Sequence, residues 1–270
     1  MPPMTNMPTP VLVPISEGSE GNPIFLVHPL HGSSHCYLSL AAELEGIRPT
    51  YALQSRGLGE RTPKQRSVEE MAADYVTAIQ SVQTDGPFLL AGWSLGGWIA
   101  LEMAHILRQK GKEIAFLFSI DRILTKGQIP GDPDYWILQI ILREKFDHEI
   151  LAAYKSLNSD LEKAVFLYEK MKKDGEQPTN IRRSLNLLEM VRQNYLSSLH
   201  YKPNPGDFPI VYFLAPDPMP VPGGADYLGY WFEDLPTSDV HFIEGCHHLS
   251  ILNRPAVEFL AEKMSLYLEN

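Results

Sequence analysis

Apolar positions along this chain alternate between short unbroken runs and helix-period stripes, and the alternation predicts the architecture. Ile24-Phe25-Leu26-Val27 is an apolar run that stops at His28-Pro29 and a glycine-containing loop, the pattern of a strand buried on both faces that ends at a functional edge. Tyr51-Ala52-Leu53 repeats it and ends at Arg56-Gly57. Ser67-Val68-Glu69-Glu70 has capping-box spacing and predicts a helix running to about Val82. Phe88-Leu89-Leu90-Ala91 is a further strand, Gly92 to Gly97 a sharp turn, and the segment after it sets Ile99, Met103, Ile106 and Leu107 on one helical side before stopping near Lys110-Gly111. Ile114 to Ile120 is another apolar strand, running straight into Asp121. Strands alternating with helices imply a mostly parallel central sheet covered by helices.

From 123 to 205 the pattern changes to amphipathic helices rich in Leu, Lys and Glu with no comparable strand, which predicts a helical lid inserted into the core. Strand signals return at Pro209 to Ala215 and Val240 to Glu244, and Pro255 to Leu268 has the spacing of a closing amphipathic helix. Residues 1–22, rich in Pro, Ser, Gly and Met, are expected to be a flexible tail or linker. The expected division is therefore tail 1–22, core 23–122 and 206–270, and lid 123–205; no internal repeat interrupts it.

Composition narrows the function classes. With 270 residues, 44% of them hydrophobic, the chain can bury one large core with an appended subdomain, so one catalytic domain is the economical reading. Lys and Arg number 23 against 33 Asp and Glu, a net charge of −10, which argues against nucleic-acid binding because that affinity depends on neutralising phosphates. No run of about 18 apolar residues and no secretory leader occurs, so the expectation is a soluble, cytoplasmic protein without a membrane partner. Cys36 and Cys246 are too few for a disulfide framework and lack metal or redox spacing; both read as reduced thiols. Basic residues do crowd one stretch (Arg143, Lys145, Lys163, Lys170, Lys172, Lys173, Arg182, Arg183, Arg192), either as solvated helix faces or as a docking surface for an acidic partner.

The chemistry centres on Gly92-Trp93-Ser94-Leu95-Gly96, a G-x-S-x-G turn between a buried strand and a helix, where only glycine fits two positions either side of the serine. Ser94 is thereby presented as a nucleophile at a helix N-terminus, where developing negative charge is favoured. A serine hydroxyl needs a base and the base needs an orienting carboxylate, in this fold in the chain order Ser, acid, His. His247 and His248 both follow the last strand and either could be the base. His28, His31 and His35 share a loop, but Pro29, Gly32, Ser33 and Ser34 break the helix that metal ligands at such spacings need, so no metal is expected. That loop is expected instead to supply a backbone N–H, from Leu30 or nearby, to pair with the N–H of Leu95 as an oxyanion hole.

The segments Phe25 to Gly32, Tyr51 to Gly57 and Leu90 to Gly97 closely resemble the thioesterase domains that end nonribosomal peptide and polyketide synthetases, members of the α/β-hydrolase superfamily. So does His248-Leu249-Ser250-Ile251-Leu252-Asn253-Arg254-Pro255, which resembles that family's H-x-S-I-L-x-x-P and selects His248. The family usually has glycine two residues before this histidine; here Cys246 stands there and Gly245 one further away, which keeps His247 as the alternative. The resemblance covers about residues 10 to 268 and is weakest across the predicted lid. It implies an α/β-hydrolase fold, Asp121 as the acid where many other α/β-hydrolases would use Asp217, and no bound cofactor. It also implies an acyl or peptidyl substrate carried on the phosphopantetheine of a partner carrier protein or domain. Gly-Trp-Ser-Leu-Gly is closer to the chain-releasing type than to the free-standing editing type, which more often has Gly-His-Ser-Met-Gly. With Met1 opening a short tail and no carrier domain in the chain, the expectation is an excised terminal domain or a stand-alone enzyme of that ancestry. A lipase or carboxylesterase acting on oxygen esters would share every one of these residues.

Overall fold

The computed structural model describes residues 10–18, 21–58, 66–122, 133–142, 146–173, 181–217 and 239–268. Its strands are β1 (Leu12–Ser16), β2 (Ile24–Val27), β3 (Thr50–Leu53), β4 (Phe88–Trp93), β5 (Ile114–Ile120), β6 (Ile210–Leu214) and β7 (Asp239–Phe242). They form one seven-stranded sheet in the order β1-β3-β2-β4-β5-β6-β7, parallel throughout except for β1. Successive residues of a strand point to opposite faces, so each central strand feeds two cores. Phe25, Val27, Phe88, Leu90, Leu117, Tyr212 and Leu214 belong to one, while Ile24, Leu26, Leu89, Ala91, Phe118, Val211 and Phe213 belong to the other. This is the two-sided cover that unbroken apolar runs anticipate.

Helices α1 (Leu38–Glu43), α2 (Val68–Ile79), α3 (Leu95–Gln109) and α8 (Ala256–Ser265) supply that cover, with α2 and α3 on the first core and α1 and α8 on the second. The start of α2 is the predicted capping box: the Glu70 N–H donates to Ser67 Oγ at 3.1 Å and the Ser67 N–H to Glu70 Oε2 at 2.8 Å. Such a cap stabilises a helix by about 1 kcal/mol.

The expectation of a tail over residues 1–22 needs correcting. Leu12–Ser16 pairs antiparallel with β3, Leu12 opposite Leu53 and Val13 opposite Ala52, and Val11 is buried. A five-residue strand interrupted by Pro14 gives almost no periodic signal, and proline is tolerated there because β1 is an edge. The first nine residues of that tail lie outside the described residues.

Between β5 and β6 the described chain is helical: α4 (Pro133–Leu142), α5 (His148–Lys155), α6 (Asp160–Lys173) and α7 (Ile181–His200). Trp136, Ile137, Leu138, Leu188 and Val191 join the same core as α2 and α3. Clustered cations are used inside this insertion: Lys163 pairs with Asp134 at 2.6 Å, tying α6 to α4, and Arg192 with Asp160 at 2.8 Å, tying α7 to α6. Arg182 and Arg183 are exposed on the first turn of α7, and Arg143 and Lys145 lie outside the described residues. Among the described residues, no helix is long and apolar enough to cross a membrane.

Candidate active site

The turn that carries Ser94 is built from what its neighbours lack. A Cβ on Gly92 would lie 2.1 Å from the Gly96 carbonyl, and one on Gly96 would lie 2.2 Å from the Val27 carbonyl oxygen, so α3 can start this close to β4 only with glycine at 92 and lie this close to the end of β2 only with glycine at 96. The turn forces Ser94 to φ 57°, and the residue after β5, Asp121, adopts φ 46°; among the described residues these are the only non-glycine residues in the left-handed region. Each such backbone costs on the order of 1–3 kcal/mol and persists where the surroundings over-determine it, which directs attention to function. Ser94 N–H donates to the Ile120 carbonyl at 3.1 Å and Asp121 N–H to the Phe213 carbonyl at 2.7 Å, so both bends are pinned to neighbouring strands.

These elements bring together Ser94, Asp121 and His248. His248 Nδ1 lies 2.6 Å from Asp121 Oδ2 and its Nε2 lies 3.1 Å from Ser94 Oγ, all three side chains being buried. A carboxylate only accepts, so Nδ1 carries the proton and Nε2 offers its lone pair to the serine hydroxyl. Asp121 Oδ1 accepts the Ala215 N–H at 2.9 Å, leaving Oδ2 for the imidazole. The His248 loop is closed by Ser250 N–H to the His247 carbonyl at 2.9 Å and His247 N–H to Ser250 Oγ at 3.0 Å, and the His248 carbonyl accepts Trp93 Nε1–H at 3.1 Å. The alternative base, His247, turns back on its own loop, where its Nδ1 accepts the Leu249 N–H at 3.3 Å. The alternative acid, Asp217, is exposed and its N–H donates to the Cys246 carbonyl at 3.1 Å.

Leu30 and Leu95 flank the serine, Leu30 in the loop after β2 and Leu95 as the first residue of α3. Among the described residues neither N–H donates to a protein acceptor. The Pro29 carbonyl accepts both the Gly32 N–H at 2.9 Å and His28 Nδ1–H at 2.8 Å. In a planar trans peptide the C=O and N–H point in opposite directions, so this turns the Leu30 N–H away from the turn. The three loop histidines face different partners: His28 also accepts the Tyr75 hydroxyl proton at Nε2 across 2.6 Å, His31 lies edge-on to Trp93, and His35 meets Ser33 Oγ at 3.0 Å.

Burial lowers the His28 pKa to about 4 from 6.5, because the interior disfavours the imidazolium. The unfolded chain therefore binds the extra proton first. The stability this neutral histidine confers is complete above pH 6.5 and is lost as pH falls toward 4. Between pH 7.5 and 4.5 the loss is about 2–3 kcal/mol at roughly 1.36 kcal/mol per unit. Urea unfolding of the wild type and of His28→Gln at those two pH values should differ in slope by about that amount; parallel pH dependences would show that His28 is not held neutral.

Sequence reasoning does not reach several residues that shape the site. Tyr37 donates its hydroxyl to the Val27 carbonyl at 2.5 Å and accepts the Trp93 N–H at 2.8 Å, bridging the ends of β2 and β4. Trp136 and Ile140 of α4 line, with Trp93, Leu249 and Leu30, a crevice of about 320 Å³ over Ser94 and His248, counting space open to solvent. The almost uniformly apolar Tyr135-Trp136-Ile137-Leu138-Gln139-Ile140-Ile141-Leu142 is the one local hint that this helix covers something.

A family model described as "Thioesterase domain" matches residues 22–195. The chain is 37% identical over 136 residues, 49% of its length, to the dimodular nonribosomal peptide synthase of Bacillus subtilis (strain 168), and that match spans 6% of the synthase. Among solved structures it resembles holo-AB3403, a four-domain nonribosomal peptide synthetase bound to AMP and glycine, with a TM-score of 0.83 at 23% identity, covering 97% of this chain and 20% of that one. It also resembles the NocB thioesterase domain in covalent complex with a fluorophosphonate nocardicin G analogue, with a TM-score of 0.66 at 21% identity, covering 93% of this chain and 96% of that one. At these identities the structural likenesses speak for the α/β-hydrolase fold alone, but the family model covers well over half of the sequence, and the chain belongs to the thioesterase domain family.

Proposed function

We propose that this chain releases an acyl, peptidyl or polyketide chain from the phosphopantetheine thiol of a carrier protein or domain, through an ester on Ser94. The observation that carries the reading is the unbroken hydrogen-bond relay from Asp121 through His248 to Ser94, set at the N-terminus of α3. Ser94 Oγ attacks the thioester carbonyl as its proton passes to His248 Nε2, and Asp121 stabilises the resulting imidazolium. The tetrahedral oxyanion rests on the Leu30 and Leu95 N–H groups. Collapse breaks the C–S bond, and the departing thiolate takes the proton from His248. A water, or an amine or hydroxyl within the acyl chain, then attacks the ester and loses its proton to His248, and collapse breaks the bond to Ser94 Oγ, which takes that proton back; water gives the free acid and an internal nucleophile gives a macrocycle. Trp136 and Ile140 over the serine support a lid role for the 123–205 insertion, since covering the ester excludes water and favours the internal nucleophile.

Turnover of an acyl-pantetheine thioester should exceed that of the matched oxygen ester by at least roughly tenfold in kcat/KM, a difference of about 1.4 kcal/mol in transition-state binding. Equal rates, or a preference for the oxygen ester, would move the chain to lipase or carboxylesterase chemistry on the same residues.

A further inference from the structure

Helix α7 presents Met190, Asn194 and Ser197 along one buried face, at i, i+4 and i+7, and each meets the core. A Cβ on Gly32 would lie 3.0 Å from Met190 Cγ, so the glycine leaves that side chain its seat. Ser197 Oγ donates to the Arg66 carbonyl at 2.5 Å. Asn194 Nδ2 donates to the Leu30 carbonyl at 2.8 Å, across 164 residues of chain. A carbonyl only accepts, so the NH₂ side of the amide must face Leu30. Asn194 is 5% exposed, and a buried asparagine within a helix carries both a desolvation cost and a weak helix propensity that leucine would not.

The Leu30 residue is held on both sides. His28 and Gly32 orient the peptide before it through the Pro29 carbonyl, and Asn194 orients the peptide after it through its own carbonyl. We propose that Asn194 is a positioning residue for the oxyanion hole, clamping the Leu30 loop to α7 so that transition-state stabilisation depends on the insertion being seated on the core. This rests on reading the Leu30 N–H as an oxyanion donor. Of the three contacts on this face, only Asn194 bonds the residue that carries that donor. Withdrawing α7 frees Leu30 to rotate, and a hole that must reorganise during reaction forfeits the advantage of a preorganised one.

The test uses the whole chain, butyryl-N-acetylcysteamine thioester as substrate and phenylboronic acid, which forms a tetrahedral adduct on a serine oxygen, as transition-state mimic. Asn194→Leu, nearly the same size but without a donor, is expected to lower kcat roughly 10- to 100-fold with KM within about twofold, and to weaken boronate binding by a matching factor. Asn194→Gln, which keeps a donor, should recover much of the loss. If the leucine variant does not fold by circular dichroism, Asn194→Ala takes its place, since it too offers the Leu30 carbonyl no proton. A folded variant with kcat within twofold of wild type, or one whose kcat falls while boronate affinity holds, overturns the clamp. Fluorophosphonate labelling of wild-type Ser94 separates the two levels: with labelling intact only the clamp fails, and without it the reading of the site itself fails.

Discussion

Alanine in place of Ser94 is expected to lower kcat by roughly 10⁶-fold, about 8 kcal/mol of barrier, while leaving the fold in place. The change removes one oxygen whose single described side-chain partner is His248 Nε2 at 3.1 Å, and it keeps the Cβ, so the φ 57° backbone is neither relieved nor worsened. Stability should shift by no more than about 1 kcal/mol, the usual worth of one hydrogen bond. Loss of the nucleophile also removes the covalent intermediate. Intact-mass measurement of acid-quenched wild type with acyl-pantetheine should find one acyl group on the peptide bearing Ser94, and none on the alanine variant. An active, unacylated alanine variant would mean that water attacks the thioester directly and that Ser94 is only a turn residue.

The parts of this site that could be foreseen are those whose physics is local. The turn at Ser94 is legible because the clash that demands Gly92 is with Gly96 and Gly97 a few residues on, and the capping box at Ser67 because its partner Glu70 is one turn away, whereas the clash that demands Gly96 is with the Val27 carbonyl of the neighbouring strand. Unbroken apolar runs betray strands covered on both faces. What periodicity cannot reveal is pairing across the chain: Leu12–Ser16 becomes a strand only because β3 offers it an edge, and Tyr37 reaches Trp93 across 56 residues. Trp136 and Ile140 look like ordinary core in sequence, since an apolar residue over a serine and one over a leucine carry the same local signal. The choice between His247 and His248 is likewise not local. It rests on the contacts of the His248 ring with Asp121 and Ser94, 127 and 154 residues away in the chain.

Asparagine at position 121 is expected to be nearly inactive and asparagine at position 217 close to wild type, although in sequence both aspartates simply follow a strand. The sheet order separates them: β5 lies directly beside β4, which leads into Ser94, whereas β6 lies one strand further out. The Asp121 environment makes its substitution severe for a specific reason. Ala215 N–H, 2.9 Å from Oδ1, requires an acceptor there, so the oxygen of an asparagine would occupy that position and its NH₂ would face His248 Nδ1. That ring nitrogen must then accept, which moves the imidazole proton to Nε2. An Nε2–H donates toward Ser94 and cannot take its proton, and the imidazolium formed later in the reaction has no counter-charge. The expected loss is roughly 10³- to 10⁴-fold in kcat, about 4 to 5.5 kcal/mol. At position 217 the side chain is exposed and the contact with the Cys246 carbonyl comes from the backbone N–H, which asparagine retains, so kcat should stay within about twofold. Both variants should give wild-type circular dichroism, and Asp121→Asn should react with fluorophosphonate far more slowly while Asp217→Asn keeps the wild-type rate. The opposite ranking would assign the orienting carboxylate to the loop after β6 and leave the 2.6 Å contact between Asp121 and His248 without a catalytic role.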